Sequence, residues 1–144
     1  MKEIVLKARQ YHVTFKLLDI FNEKDYPYIK FLISIKTFPN NIELAKNDII
    51  FLFTDIISII NYFENHIEKL KLDPFYESYV FVTNDLYYNI QASCGDLSCE
   101  KPYFDLRFML NINDWENRVY VGCQGEIDLD EIKKFLNESR KLIE

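Results

Sequence analysis

Glycine is nearly missing from this chain of 144 residues: Gly95, Gly122 and Gly125 are too few to build a glycine-rich phosphate loop or a low-complexity segment. Histidine occurs twice, at 12 and 66, and cysteine three times, at 94, 99 and 123, which leaves little for a metal site. Alanine occurs only at 8, 45 and 92, and proline four times. No apolar run is long enough to span a bilayer, because the longest, Ile49 to Ile60, is broken by Asp55 and preceded by Asp48. The first ten residues mix Lys2, Glu3, Lys7 and Arg9 among apolar ones, so they lack the core of a signal peptide, and a cytoplasmic chain is expected.

Aromatic side chains are plentiful, with 10 Tyr and 12 Phe in a chain that is 49% hydrophobic and 28% charged. That composition predicts a sheet-containing globular domain, since strands favour aromatic and β-branched residues over alanine. At this length folding buries roughly 68–70% of the surface of the unfolded chain, so one domain can hold its core without staples.

Periodicity then orders the chain. Apolar and polar residues alternate over Tyr11–Ile20 and again over Tyr28–Phe38, the pattern of a strand hairpin, and Ile4 and Leu6 open an earlier strand. Asn47 or Asp48 is read as the N-cap of a long central helix. From Ile49 through Leu52, Phe53, Ile56, Ile59, Ile60, Phe63 and Ile67 to Leu70, apolar residues recur at three- and four-residue spacing, and Asp73–Pro74 ends the run. Strands are expected over Tyr76–Val82, Leu86–Ala92, Tyr103–Ile112 and Arg118–Cys123, with Trp115 closing one end of the core. Asp128 and Glu131 resemble a capping box that opens a second helix carrying Ile132, Phe135, Leu136, Leu142 and Ile143. The expected fold is α+β: a single domain with a mostly antiparallel sheet of about six strands, a long central helix and a C-terminal helix, without internal repeat or linker.

Charge is uneven. Residues 1–72 carry 10 Lys+Arg against 9 Asp+Glu, whereas residues 73–131 carry 3 basic against 12 acidic residues, a net −9 within a chain of net −6. Such a field repels phosphate backbones, which argues against direct nucleic-acid binding and for a basic protein partner.

No catalytic motif is present, and no cofactor is expected. The Cys94-x4-Cys99 spacing is wider than that of most zinc knuckles and has no histidine beside it; reduced thiols are expected, with Cys123 as a small core residue. His12 and His66 read as surface or helix-end residues. Gly122 and Gly125 read as a bulge or tight strand exit. The carboxylates Asp96, Glu100 and Asp105 lack the alternation of a calcium loop. Interleaved with tyrosines, they form the kind of surface used for protein recognition, and the candidate contact set is Asp85, Tyr87, Tyr88, Asp96, Glu100, Tyr103, Asp105, Asp114 and Glu116.

The segments Asp85-Leu86-Tyr87-Tyr88 and Pro102-Tyr103-Phe104-Asp105-Leu106-Arg107-Phe108, then Trp115, a strand ending near Gln124 and a helix opening Asp128-Leu129-Asp130-Glu131-Ile132, resemble small immunity proteins of bacterial contact-dependent inhibition and Wap-type toxin systems. The resemblance covers roughly residues 28–144 as an order of elements. It differs in the Gly95–Glu100 loop and in Gly-Cys-Gln at 122–124, where a further aromatic is common. It implies a non-enzymatic cytoplasmic protein that neutralises a cognate toxin domain, often a nuclease, by occlusion. The competing expectation is a small-molecule binding module with an aromatic-lined cavity between sheet and helix.

Overall fold

In the computed structural model, which describes residues 2–22, 24–83 and 86–144, the order of elements is β1 (Glu3–Lys7), β2 (Tyr11–Phe21), β3 (Tyr28–Thr37), β4 (Glu43–Leu52), α1 (Phe53–Leu70), β5 (Phe81–Val82), β6 (Tyr88–Asp96), β7 (Tyr103–Asn111), β8 (Tyr120–Asp128) and α2 (Leu129–Leu142). The α+β class stands. The described strands form two antiparallel four-stranded sheets, β1-β2-β3-β4 and β5-β6-β7-β8, in place of one sheet of about six strands.

The largest departure from the sequence reading is β4. Residues 49–52 were expected to open the central helix, yet Ile49, Ile50 and Phe51 pair with Phe31, Lys30 and Ile29 of β3. The stretch satisfies two periods at once. Ile49 and Phe51 face inward as alternate strand residues, 1% and 3% exposed, while Ile56, Ile59, Ile60 and Phe63 continue an apolar stripe at helical spacing. Pairing with β3 and β-branched side chains decide for strand as far as Leu52. The helix starts where the Asp55 carboxylate accepts the Leu52 backbone N–H at 2.9 Å.

Four meandering strands followed by a helix occur twice. Inner-face residues of β2, Val13 and Phe15, correspond to Tyr88 and Ile90 of β6, and Ile29, Phe31, Ile33 and Ile35 of β3 to Phe104, Leu106, Phe108 and Leu110 of β7, so that Val13 stands opposite Ile35 as Tyr88 stands opposite Leu110. Ile56, Ile59 and Ile60 of α1 correspond to Ile132, Phe135 and Leu136 of α2, so the matched residue numbers differ by 75 or 76 throughout. Both second strands carry a register shift near their ends, between Leu17 and Asp19 and between Ser93 and Gly95. The expectation of no internal repeat is therefore corrected. The repeat is hidden in the sequence because burial demands only apolar character at matched positions, and loops of unequal length shift the period.

One continuous core joins the halves. Phe51 stacks on Tyr88 at 4.9 Å and Tyr88 on Phe108 at 5.7 Å, while Phe15 meets Phe31, Phe51 and Phe108 edge-on and Phe135 of α2 at 5.8 Å. The Tyr11 hydroxyl, whose pKa burial drives far up, donates to the Leu106 carbonyl at 2.7 Å across the sheets. At one edge the sheets meet directly, through a bridge between Ala8 and Ile127 and the Arg9 N–H donated to the Glu126 carbonyl at 2.7 Å.

Other expectations change with the fold. The strand expected over Tyr76–Val82 is regular only at Phe81–Val82; its earlier part follows β6 through Ser78 N–H to Ala92 O, and Pro74 just before it through Gly95 N–H to Pro74 O, both 3.0 Å. Trp115 is 62% exposed and closes no core. Asp128 is the N-cap residue of α2, but its carboxylate makes no capping bond and turns instead to Arg9. Gly122 and Gly125 sit within the unbroken β7–β8 register, not at a bulge, and a Cβ on Gly122 would lie 1.9 Å from the Phe108 carbonyl oxygen.

Candidate protein-binding face

Alternation along β6, β7 and β8 turns polar residues onto the outer face of the second sheet. Cross-strand pairing sets them in rows: Asp96, Tyr103 and Asp128; Ser93, Asp105 and Glu126; Gln91, Arg107 and Gln124. The acidic rows lie at the end of the sheet where β7 begins. There Pro74, Phe75, Cys94, Asp96, Tyr103, Asp105 and Glu126 line an open concavity of about 460 Å³. Phe75 is 84% exposed, an aromatic ring offered to solvent beside carboxylates.

Local bonds hold the acidic groups in place. Asp96 accepts the Ser98 hydroxyl at 2.7 Å and the Ser98 N–H at 2.9 Å, which keep its carboxyl below the ordinary range and ionised. Arg9 reaches across from the β1–β2 connection: it contacts Glu126, donates to Asp128 at 2.7 and 2.8 Å and lies over the Tyr103 ring at 4.9 Å. Burial, and then the Glu126 charge, push the Tyr103 hydroxyl up, so it stays a neutral donor. Lys101 adds a second cation 3.4 Å from Asp128. Asp96, Asp105 and the exposed Glu100 have no ion-pair partner among the described residues. The Cys94 thiol, raised by burial and by Asp105, lies 3.8 Å from that carboxylate and is a free thiol, as are Cys99 and Cys123.

The nine residues expected on the contact surface divide. Asp96, Tyr103 and Asp105 line the concavity, and Glu100 is on the connection beside it. Asp114 and Glu116 occupy the β7–β8 turn at the far end, about 27 Å along β7. Tyr88 is corrected: at 1% exposure it stacks between Phe51 and Phe108 and offers no surface, because its position on β6 falls on the inward parity. Tyr87 is partly buried against the core, and Asp85 lies outside the described residues. The sequence reading missed Arg9, Phe75 and Glu126. Of these, Glu126 carried a legible signal, since continuing the alternation of β8 past Cys123 places it beside Asp105.

His66 is also corrected, from helix end to interior. Fully buried, it donates Nε2–H to the Ser93 carbonyl at 2.9 Å, so its Nδ1 accepts the Ser78 hydroxyl at 2.7 Å. Tyr62, whose hydroxyl burial pushes up to about 12, donates to Tyr79 O and accepts the Ala92 N–H. The two side chains fasten the edge segment 78–79 and β6 onto α1.

The apolar cavity between the first sheet and the helices, lined by Ile4, Phe15, Phe31, Phe51, Ile56, Ile59 and Phe135, has room for about 20 Å³, the space of a single water. It is too small for the ligand that the binding-module expectation requires. Among the described residues, no group of three or more His, Cys, Asp or Glu is placed to hold a metal ion, and no helix is long and apolar enough to cross a membrane. No model of a known protein family matches the chain, and no curated protein does either.

Proposed function

We propose that the chain is an immunity protein that binds a basic toxin domain through the acidic end of its second sheet and blocks that domain by occupying its surface. The observation that carries this reading is the convergence of Asp96, Asp105 and Glu126 with Tyr103 and exposed Phe75 around one open concavity, with Glu100 at its border. Carboxylates speed the encounter with a basic partner, and aromatic rings supply contact area at low entropic cost. The net −9 of residues 73–131 and the resemblance to immunity proteins support the same reading.

The test is binding of the purified chain to the product of the gene immediately upstream, with that product's toxic activity measured in parallel. Tight binding with loss of activity is expected. The triple variant Asp96→Lys, Glu100→Lys, Asp105→Lys should associate at least roughly tenfold more slowly at low salt, with a smaller change in dissociation. Absence of binding overturns the immunity reading; binding unaffected by the triple variant overturns this face as the contact.

A further inference from the structure

The two repeats differ where their last strands turn. In the first, Thr37 N–H closes on Ile42 O at 2.9 Å; in the second, Ile112 N–H closes on Val119 O at 2.9 Å, around a turn two residues longer that holds Asp114, Trp115 and Glu116. The longer turn is held from within. Asn111, fully buried, donates to Asp114 O and accepts the N–H groups of Asn113 and Val119, each at 3.1 Å. Asp114 accepts the N–H groups of Glu116 and Asn117, and Arg118 donates to Trp115 O at 2.8 Å. The product of this ordering is an apolar tip: Trp115 is 62% exposed, and Ile112, Val119 and Val121 are 40%, 44% and 36% exposed. The first repeat makes its hairpin without such a loop, so the fold does not need it.

We infer that this tip is a self-association surface, taking the same tip of a second copy about a two-fold axis. Charge selects the occupant. On a chain of net −6 the tip is balanced: Asp114 and Glu116 stand against Arg118 and Lys46, whose ammonium donates to Asn113 O at 3.0 Å. Glu116, Arg118 and Lys46 make no ion pair among the described residues, so both signs are left for an isologous contact to match across the axis. A strongly basic or acidic partner would leave one sign opposed by like charge. A central exposed tryptophan is the side chain that anchors such contacts. The inference is independent of the toxin-binding reading, since the acidic concavity lies at the opposite end of β7.

Sedimentation equilibrium of the full chain from low to high micromolar concentration tests it, with emission from Trp115, the only tryptophan, followed over the same range. The expected result is a monomer–dimer equilibrium with Trp115 emission shifting to shorter wavelength as the dimer forms. Trp115→Glu should weaken dimerisation roughly thirtyfold or more, as loss of a central anchor does. Arg118→Glu should also weaken it, and the exchange Glu116→Arg with Arg118→Glu should restore it, because a self-complementary contact tolerates inversion of both signs. Far-ultraviolet circular dichroism confirms that each variant folds. A monomer at every concentration, or a dimer indifferent to Trp115→Glu, overturns the inference.

Discussion

Buried between Ser78 and Ser93, the His66 ring can be neutral without cost but not charged: burial holds its pKa below the ordinary value, only partly offset by the Ser93 carbonyl. The unfolded chain therefore takes up protons that the folded chain refuses as pH falls from about 6.5 toward the folded value, and stability falls through that window while staying level above it. His12 shifts in the same direction, through burial and the nearby Lys7. The urea midpoint should thus hold above neutral pH and decline as the pH falls below about 6.5. His66→Gln should lower the midpoint at pH 7.5 yet flatten the decline; an unaltered decline in that variant would place the proton uptake elsewhere. Gly122 is limited by backbone. The Cβ of an alanine there meets Phe108 O at 1.9 Å and Met109 Cα at 2.8 Å, whereas at Gly125 the nearest atom is the side-chain Oε1 of Gln10 at 2.3 Å. Gly122→Ala should cost roughly 2–4 kcal/mol by urea denaturation and Gly125→Ala less, since only Gln10 must move.

The elements are held by what crosses between them. Phe15 belongs to β2 yet touches rings from β3, β4, β7 and α2, so one side chain ties both sheets to the C-terminal helix. Phe15→Ala should cost about 3–5 kcal/mol, and a double-mutant cycle with Phe108→Ala should show coupling, because the two substitutions open one shared cavity. Additive effects would mean that the sheets relax independently. The element boundaries also separate what is legible from what is not. β2 as far as Leu17, β3 and β7 alternate between buried and more exposed positions, and pattern alone finds them within a residue or two. β4 fails that test because Ile49, Phe51, Phe53 and Ile56 fit a strand at first and a helix later, and only pairing with β3 chooses between the two. Segment 74–80 follows β6 through side chains as much as backbone, with Gln91 donating to Ser78 O at 3.1 Å, and no periodicity announces such an arrangement.

On the scale of the whole molecule, two surfaces of different character lie at opposite ends of β7: an acidic concavity where Arg9, Asp105 and Glu126 meet, and a charge-balanced apolar tip around Trp115. Their separation predicts that one contact does not obstruct the other. A complex with the basic partner should sediment as two chains of each kind, reverting to one of each in Trp115→Glu; a one-to-one mass for the unaltered chain would show that partner and second copy compete. Screening should act on only one of the two surfaces. Raising ionic strength should slow association with the partner steeply, and the dimerisation constant, set by a balanced apolar contact, should change little.

The candidate site was half legible. Asp96, Glu100, Tyr103 and Asp105 are neighbours in the chain, and strand alternation was enough to group them. Arg9, Phe75 and Glu126 come from distant segments, and the packing of the β1–β2 connection against β8 brings Arg9 to them. Taken alone, the sequence determined the α+β class, the strands with strict two-residue alternation, the second helix and the concentration of negative charge after residue 72, because each of these follows from local composition or period. Tertiary structure decided the rest. It settled the start of α1, the inward parity of Tyr88, the interior place of His66 and the duplication of the four-strand-and-helix unit, since each depends on which distant residue stands opposite, a matter of pairing and burial that no single stretch of chain contains.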